Sequence, residues 1–344
     1  MTFAKMQTKA VSLKEIAAAA GVSEATVSRV INGKGELSAK TRDHVMAVAS
    51  TFNRQENRLV RGFQTGRTQL IGVMISPSSP YSSQIFAGVH DTLLKRDCAP
   101  LVLYPDRKKN ITEQHQLQRM LEYRVDGILL MPSMFQAEDS YFKDAWDRGI
   151  PITCIDGWMC KTHTDLATFD NQQGGHAAAQ YLLSKGHQHI GQICGPQYHP
   201  VAIDRKKGFD AVMQKAGVKS YDLENHGFAS NPEQAQAFLR QHPQITAIFA
   251  ANDTSAQGVY EAASKLGRKI PDDLSVIGFA DLPLASHLTP GLTTFRQDAY
   301  QLGCQAVDLM FKRLTGKLPA DSPQSLYLPV ELIQRESVRD LQQS

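Results

Sequence analysis

The chain lacks any run of about 18 apolar residues, the length that a membrane-spanning helix needs. Its N-terminal segment also lacks the apolar stretch of a secretory signal peptide. Cysteine is scarce, with five in 344 residues, and no two stand in a C-x-x-C pair: Cys98, Cys154, Cys160, Cys194 and Cys304. We therefore expect a cytoplasmic protein with reduced thiols, no disulfide framework and no membrane partner.

Motifs of the common catalytic classes are lacking as well. The sequence contains no P-loop, no G-x-S-x-G, no H-E-x-x-H and no constellation of paired acids. The one hint of a metal site is the H-x-H of His187 and His189, which precedes an apolar strand and is more often structural. We expect neither enzymatic activity nor a bound metal or cofactor.

Charge is distributed unevenly along the chain. Residues 1–68 hold eleven Lys and Arg against five acids, a net charge of +6, although the whole chain carries only +3. A basic N-terminal segment on a slightly acidic body suggests affinity for a polyanion at one end of the molecule. Charge alone leaves a merely solvated basic face open as the alternative.

Three short helices are predicted in the basic segment. Ser12 and Glu15 have the spacing of a capping box that starts the first helix. Gly21 supplies the left-handed backbone that ends it. Ser23 then caps a second helix and Ser38 a third.

The second predicted helix has two distinct faces. Its inward stripe falls at helical spacing: Val27, Val30 and Ile31. Its outward face is formed by Glu24, Ala25, Ser28 and Arg29. Short side chains let a helix approach base edges in the major groove, and Arg29 is long enough to reach a guanine or a phosphate. The layout is that of a helix-turn-helix.

The third predicted helix adds groups suited to phosphates. Lys40, Thr41 and Arg42 stand in its first turn. Apolar residues follow at core spacing: Val45, Val48, Ala49 and Phe52. We therefore expect this helix to complete a small core and to hold the DNA backbone with its first turn.

These residues resemble the LacI/GalR family of bacterial transcription regulators. The matching motifs are Leu13-Lys14-Glu15-Ile16-Ala17, Gly21-Val22-Ser23, Ala25-Thr26-Val27-Ser28-Arg29-Val30-Ile31-Asn32 and Thr65-Gly66-Arg67-Thr68. The resemblance covers nearly all of the chain after residue 12. It implies a sequence-specific DNA-binding regulator, by expectation a repressor. The implied DNA contacts are Ser23, Glu24, Ala25, Thr26, Ser28, Arg29, Asn32, Lys40, Thr41, Asn57, Arg61 and Phe63.

Residues 57–66 align with the hinge helix of that family. A leucine commonly wedges between base pairs of the minor groove there, and Phe63 holds its position in this chain; the alternative is that Phe63 packs between hinge and body. Gly62 should weaken so short a helix by about 1 kcal/mol relative to alanine. We expect the hinge to be ordered mainly when two copies pair on DNA.

Beyond residue 68, apolar runs of strand length alternate with stretches of helical spacing. The strand runs lie at 70–75, 99–103, 127–131, 152–155, 190–194, 245–250 and 275–279, and the helical stretches at 84–96, 111–123, 174–185, 205–216, 232–241, 255–266 and 299–314. This alternation predicts parallel sheets with crossover helices on both faces. With the resemblance, the fold class is a small all-α helix-turn-helix head plus an α/β body of two doubly wound parallel-sheet lobes, like the periplasmic binding proteins.

The expected domains are a DNA-binding head at 1–55, a hinge helix and linker at 56–68, and an effector-binding and dimerisation body at 69–344. Within the body, the N-lobe is expected at about 69–170 and 298–326. The C-lobe is expected at about 171–295 and 327–344.

Ligands of open parallel sheets bind beyond the carboxyl ends of the strands. Aromatic, amide and acidic residues follow several predicted strands, which suits a small polyhydroxylated effector, although each residue alone could be a turn former: Tyr81, Ser83, Asp156, Trp158, Asn252 and Asp281. The resemblance adds Arg205 as the first choice to grip the effector and Phe228 to cover it. It adds Gln297 near the strands that cross between the lobes.

One position departs from the family pattern. Family members usually carry an acid directly after Gly-Phe or Gly-Tyr, whereas here Gly278-Phe279 is followed by Ala280 and then Asp281. Either Asp281 takes that place, or one hydroxyl contact is missing and the ligand differs from a plain hexose.

The resemblance implies a mechanism and partners. Two heads on a near-palindromic double-stranded operator require a homodimer; a tetramer stays open, but no leucine heptad is visible at 331–344. A small effector, by expectation a carbohydrate, would change the angle between the lobes and the spacing of the hinges. Two other classes remain. A sugar-binding transport protein would not need the head, and an enzyme on this scaffold would need a nucleophile, base or metal set.

Overall fold

The computed structural model describes residues 12–31, 37–51, 67–76, 78–106, 111–132, 139–158, 163–225, 227–319 and 322–342. The chain divides into two compact units, Met1–Thr68 and Gln69–Ser344. No helix in the described ranges combines the length and the apolar content that crossing a membrane requires. The expected junction between head and hinge at residue 55 lies outside the described residues, so it stays a prediction.

The first unit contains three helices, α1 (Leu13–Ala20), α2 (Glu24–Ile31) and α3 (Ala39–Thr51). The predicted capping box starts α1: Ser12 Oγ accepts from the Glu15 N–H at 3.2 Å, and Glu15 Oε2 accepts from the Ser12 N–H at 2.7 Å. Gly21 ends α1 with a φ of 63°, the left-handed conformation expected of a glycine cap. Both predictions are confirmed.

The three helices of the head enclose one small apolar core. Its buried members are Ile16, Ala17, Ala20, Val27, Val30 and Val45. Two of the three stripe residues predicted on α2, Val27 and Val30, are therefore buried. The side chains of Ile31 and Phe52 lie outside the described residues.

The N-lobe of the body is built on six strands. They are β1 (Leu70–Met74), β2 (Ala99–Val102), β3 (Gly127–Leu130), β4 (Ile152–Ile155), β5 (Asp165–Phe169) and β11 (Ser325–Leu328), arranged in the order β11-β5-β4-β3-β1-β2 with parallel pairings throughout. Its helices are α4 (Pro80–Leu94), α5 (Glu113–Glu122), α6 (Lys143–Asp147) after a 3-10 turn at Asp139–Phe142, and α12 (Ala299–Leu314). Val73 packs with α4 and α12, whereas the next residue, Met74, packs with α5, so β1 is buried on both faces.

The C-lobe repeats this architecture. Its strands are β6 (Ile190–Cys194), β7 (Ser220–Glu224), β8 (Ala247–Ala250), β9 (Ser275–Ala280), β10 (Thr293–Arg296) and β12 (Glu331–Ile333), in the order β12-β10-β9-β8-β6-β7. Its helices are α7 (Asn171–Ser184), α8 (Pro200–Ala216), α9 (Pro232–Gln241), α10 (Asp253–Lys265) and α11 (Pro283–His287). The pairing of β12 with β10 is antiparallel, and the other pairings among the described strands are parallel. The predicted fold class is confirmed.

The chain crosses between the lobes three times, after β5, after β10 and after β11. The third crossing follows Leu328 rather than residue 326. The reason is that Ser325–Leu328 pairs along its whole length with β5 of the N-lobe. The predicted lobe boundary is therefore shifted at this crossing.

Glycines let α7 and α8 approach closely in the C-lobe. A Cβ on Gly175 of α7 would overlap the backbone carbonyl of Arg205, and a Cβ on Gly208 of α8 would overlap that of Gln172. Any larger residue would push the helices apart. This contact holds the backbone of Arg205 against the N-terminal half of α7.

The structure shows the surroundings of the cysteines and of the H-x-H histidines. The four described cysteines are free thiols: Cys98, Cys154, Cys194 and Cys304. His187 is buried with its Nδ1 3.0 Å from Thr246 Oγ1, whereas His189 is exposed. The two histidine rings thus stand in different environments.

Candidate DNA-reading surface and effector site

The outer face of α2 is polar and accessible. Glu24, Ala25 and Arg29 are exposed, and Ser28 is half-buried, while Val27 and Val30 on the other side are buried. A helix with this division presents its first turns to a partner without disturbing the core beneath. Arg29, the longest of these side chains, is free of that core.

Hydroxyl groups at the starts of α2 and α3 are used as caps. Ser23 Oγ accepts from the Thr26 N–H at 3.1 Å and lies 2.9 Å from Thr26 Oγ1. Ser38 Oγ accepts from the Thr41 N–H at 3.1 Å. Ser23 stays exposed and Thr26 and Thr41 half-buried, with Lys40 exposed beside Thr41.

Four predicted DNA contacts cannot be placed. Asn32, Asn57, Arg61 and Phe63 lie outside the described residues. Their roles stay predictions, as does the ordering of the hinge.

A buried arginine forms the centre of polar contacts in the body. Arg205 of α8 is 4% exposed. Its Nε donates to Asn171 Oδ1 at 2.8 Å, and its Nη1 donates to the Ala251 carbonyl at 2.6 Å. Its Nη2 donates to Gln297 Oε1 at 3.3 Å, and its guanidinium lies 4.0 Å from the centre of the Phe279 ring. Arg205 thus links α7, the end of β8 and the second lobe crossing.

The N-lobe contributes an acid and a phenol to this cluster. Asp156 follows β4 with a φ of 58°, is 5% exposed and accepts from Thr168 Oγ1 at 3.4 Å. Tyr81, in the first turn of α4, places its hydroxyl close to the same carboxylate. The Arg205 charge acts on both groups. Asp156 and Tyr81 therefore face Arg205 from the other lobe.

Burial controls the protonation of these groups. Loss of hydration raises the pKa of Asp156 to about 6, against the opposing pull of Arg205 and of hydrogen bonds from Tyr81 and Thr168. Burial also raises the pKa of the Tyr81 phenol. Burial, together with the Arg205 charge, lowers the pKa of His199 to about 3, so this ring is neutral at physiological pH. Asp253, whose pKa burial also raises to about 6, acts on Arg205 as well, so Arg205, Asp156 and Asp253 together set the charge of the cluster.

The raised pKa of Asp156 predicts a pH-dependent stability. The folded protein holds this proton more tightly than the unfolded chain, so the contribution of Asp156 to stability is present at low pH and lost as pH rises from about 4 to about 6. We expect Asp156→Asn to raise the free energy of unfolding by about 3 kcal/mol at pH 7.5. In urea unfolding at pH 4, the variant and the native protein should have nearly equal free energies of unfolding.

The exposed acid Asp272 supplies the control for this prediction. Asp272→Asn removes a carboxylate from the surface and should change the free energy of unfolding by less than about 0.5 kcal/mol at pH 7.5. A stability gain in Asp156→Asn that is equal at pH 4 and pH 7.5 would contradict the assignment.

Phe228, the aromatic residue predicted to cover the effector, and Asn252, the predicted amide, lie together in the C-lobe. Asn252 caps α10, where its Oδ1 accepts from the Ser255 N–H at 2.8 Å, and its Nδ2 donates to the Phe228 carbonyl at 3.0 Å. The Phe228 ring stands edge-on to His199, with centroids 5.2 Å apart. Asn252 therefore fixes the loop that carries Phe228.

Three other predicted residues stand apart from Arg205. Ser83 is exposed on α4. Trp158 is half-buried and packs on the N-lobe core under α5 and α6. Asp281 accepts from Arg296 Nε at 2.9 Å and from Arg335 Nη2 at 2.7 Å. Both Asp281 carboxylate oxygens thus have arginine partners, and its contact with the effector stays a prediction that this geometry does not favour.

Sequence reasoning missed several members of the cluster. Asn171, Thr168 and Phe279 were not among the candidates, although all three are buried beside Arg205 or Asp156. Asn171 is the first residue after a lobe crossing. The strand before it was not predicted, so nothing in the sequence marked Asn171 as a residue near the end of a strand. Phe279 looks like an ordinary core residue in the sequence.

A small basic helix-turn-helix head joined to a two-lobed ligand-binding body defines the class of ligand-responsive DNA-binding regulators. Residues 12–57 match the model of bacterial regulatory proteins of the lacI family, and residues 179–338 match a periplasmic binding protein-like domain. The chain is 30% identical to the ribose operon repressor of Haemophilus influenzae over 96% of this chain and 99% of that protein. The chain belongs to the LacI family of bacterial regulatory proteins.

Solved structures agree with this assignment. The Lac repressor dimer bound to operator and the anti-inducer ONPF has a TM-score of 0.81 and 25% identity, over 96% of this chain and all of that one. A LacI family regulator from Enterococcus faecium with bound ribose has a TM-score of 0.69 and 25% identity, over 79% of this chain and 99% of that one.

Proposed function

We propose that this protein is a sequence-specific DNA-binding repressor whose operator affinity is controlled by a small effector held between the lobes of its body. The observation that carries the proposal is the pairing, in one chain, of the accessible polar face of α2 with the buried Arg205 cluster at the lobe crossings. We further propose that it acts in the cytoplasm, associated with the nucleoid when bound to DNA.

On DNA, α2 is proposed to enter the major groove. Glu24, Ala25, Ser28 and Arg29 meet base edges, and the start of α3, with Lys40 and Thr41, holds phosphates. Asn57, Arg61 and Phe63 are proposed to act in the minor groove as part of a hinge at 56–68, between a head at 1–55 and a body at 69–344.

The bound form is proposed to be a homodimer. Two identical heads related by a two-fold axis read two half-sites of a near-palindrome. The Lac repressor dimer bound to operator supports this arrangement by similarity.

The effector is proposed to be a sugar or sugar derivative. The regulator with bound ribose and the ribose operon repressor support this class by similarity. Within the body, Arg205, Gln297, Asp156 and Tyr81 are proposed to hold its polar groups. Phe228 is proposed to cover an apolar face of the ligand.

Selection of duplexes from a random pool by the purified full-length protein tests the proposal. We expect enrichment of a near-palindromic sequence bound at nanomolar concentration, at least about 10³-fold tighter than bulk genomic DNA. Failure to enrich any sequence would overturn the repressor assignment.

A thermodynamic coupling between the two sites follows. A ligand found by thermal-shift screening of sugars should change operator affinity by about 5- to 150-fold, and the operator should change ligand affinity by the same factor. Titration of the ligand into free and operator-bound protein measures this. Equal ligand affinity in both titrations would contradict the proposal that the effector controls operator affinity.

A further inference from the structure

Hydrogen-bond donors without acceptors surround Arg205. Gln297 is 5% exposed, and its Nε2 has no hydrogen-bond partner among the described residues, while its Oε1 accepts from Arg205. The buried hydroxyl of Tyr81, by contrast, lies beside the Asp156 carboxylate and has it as its acceptor. Arg205 has five N–H groups, of which three donate to described acceptors. The cluster therefore offers several donors that only an acceptor-rich group can satisfy.

The nearby C-lobe acids already have partners. Asp253 accepts from Thr294 Oγ1 at 2.5 Å and from the Leu282 N–H at 2.6 Å. Asp281 accepts from two arginines, as described above. Ala280, between Phe279 and Asp281, brings no charge of its own. Asp156, across the lobes, accepts from Tyr81 and, at 3.4 Å, from Thr168, and a carboxylate with two such donors retains acceptor capacity.

We propose that the effector carries an acidic group, a carboxylate or a phosphate, bound by Arg205 and Gln297, and hydroxyl groups bound by Asp156. This inference rests on the proposed function and narrows the effector from sugars in general to acidic sugar derivatives. Such a ligand supplies oxygen acceptors at the donor end of the cluster and hydroxyl donors at its carboxylate end.

Charge balance favours an acidic ligand over a neutral one. The guanidinium of Arg205 is buried and covered on one side by Phe279, so solvent compensates its charge poorly. The Asp156 carboxylate faces it, but burial raises the pKa of Asp156 to about 6, so this acid can take up a proton when a second anion binds beside Arg205. His199, the other titratable ring beside it, is neutral and adds no charge. A neutral sugar hydroxyl would accept one hydrogen bond, whereas a carboxylate or phosphate accepts several and compensates the charge.

Calorimetric titration of the full-length protein with matched ligand pairs tests the inference. The pairs are gluconate and glucose, glucuronate and glucose, ribose 5-phosphate and ribose, and glucose 6-phosphate and glucose, in a buffer free of phosphate and sulfate. We expect the acidic member of at least one pair to bind about tenfold or more tightly than its neutral partner. The first two pairs and the last two distinguish a carboxylate from a phosphate.

Two isosteric variants should change binding of that acid in opposite directions. Gln297→Glu places a carboxylate beside Arg205 and should weaken binding about tenfold or more. Asp156→Asn resembles the protonated acid and keeps one oxygen acceptor for a ligand hydroxyl, so it removes the repulsion between two anions and should tighten binding about threefold or more. Lys207→Ala, at an exposed position on α8, removes one charge elsewhere and should leave the affinity unchanged. Melting curves of each variant check that the body stays folded.

Three results would overturn the inference. They are a neutral sugar that binds as tightly as its acidic partner, no binding by any of the acids, or variants that change affinity in the same direction. A protein that still selects a near-palindromic duplex in these cases keeps the proposed function and loses only the acidic effector.

Discussion

Val27→Asp should abolish operator binding while leaving the body of the protein intact. Val27 is fully buried in the core of the head, against residues of α1 and α3. An unpaired carboxylate there costs about 4 kcal/mol or more, which is comparable to the whole stability of so small a unit. We expect affinity for the selected operator to fall by at least about 10³-fold, to the level of non-specific DNA. Fluorescence anisotropy with labelled operator measures this loss.

The same substitution on the surface of the head is the matched control. Met46 on α3 is 53% exposed, so Met46→Asp should keep the head folded and weaken binding less than about tenfold through its added charge. Hydrogen exchange over residues 12–51 should show protection lost in Val27→Asp alone. Near-native operator affinity in Val27→Asp would contradict the assignment of α2 to the core of a DNA-binding head.

Arg205→Met should destabilise the body and remove its response to effector. The change leaves Asn171 Oδ1, the Ala251 carbonyl and Gln297 Oε1 without their donor, and Asp156 without its facing cation. Breaking a buried charged network of this kind costs about 3–5 kcal/mol. Urea unfolding at pH 7.5, followed by the fluorescence of Trp146 and Trp158 in the N-lobe, measures the loss.

A double variant distinguishes the loss of the Arg205 charge opposite Asp156 from a general packing defect. Adding Asp156→Asn to Arg205→Met removes the uncompensated acid, so it should recover part of the lost stability. Lys207→Met, on the exposed side of the same helix, should change the free energy of unfolding by less than about 0.5 kcal/mol. An Arg205→Met variant as stable as the native protein would show that Arg205 is not the centre of a buried network.

The pattern of apolar residues was sufficient to predict those strands that are apolar along their whole length. Strands such as β1, β3 and β8 are fully or nearly fully buried and read as continuous apolar runs. The edge strands β7 and β12 are half-exposed and carry acids, so they read as loops. β5 is buried yet begins with Asp165, whose carboxylate pairs with Arg313 at 2.6 and 2.8 Å. A single sequence cannot reveal a partner so distant along the chain.

The candidate site was predictable where its residues follow a predicted strand or match a family motif. Asp156 and Arg205 met these conditions and face each other in the structure. The environment of Asp281 could not be predicted, because it depends on Arg335 in the C-terminal segment. The relatives described above are two repressors and a transcriptional regulator of the LacI family, which agrees with the absence of catalytic motifs in the sequence.

The central claim is that the exposed side of α2 reads bases, and parallel selections with native protein and Arg29→Ala test it most directly. Arg29 is exposed on that side, and loss of one arginine contact to a base should weaken operator binding by about 1–3 kcal/mol. We predict that the enriched near-palindrome relaxes at symmetric positions of the two half-sites and keeps its other positions. An identical consensus with unchanged affinity would contradict the claim.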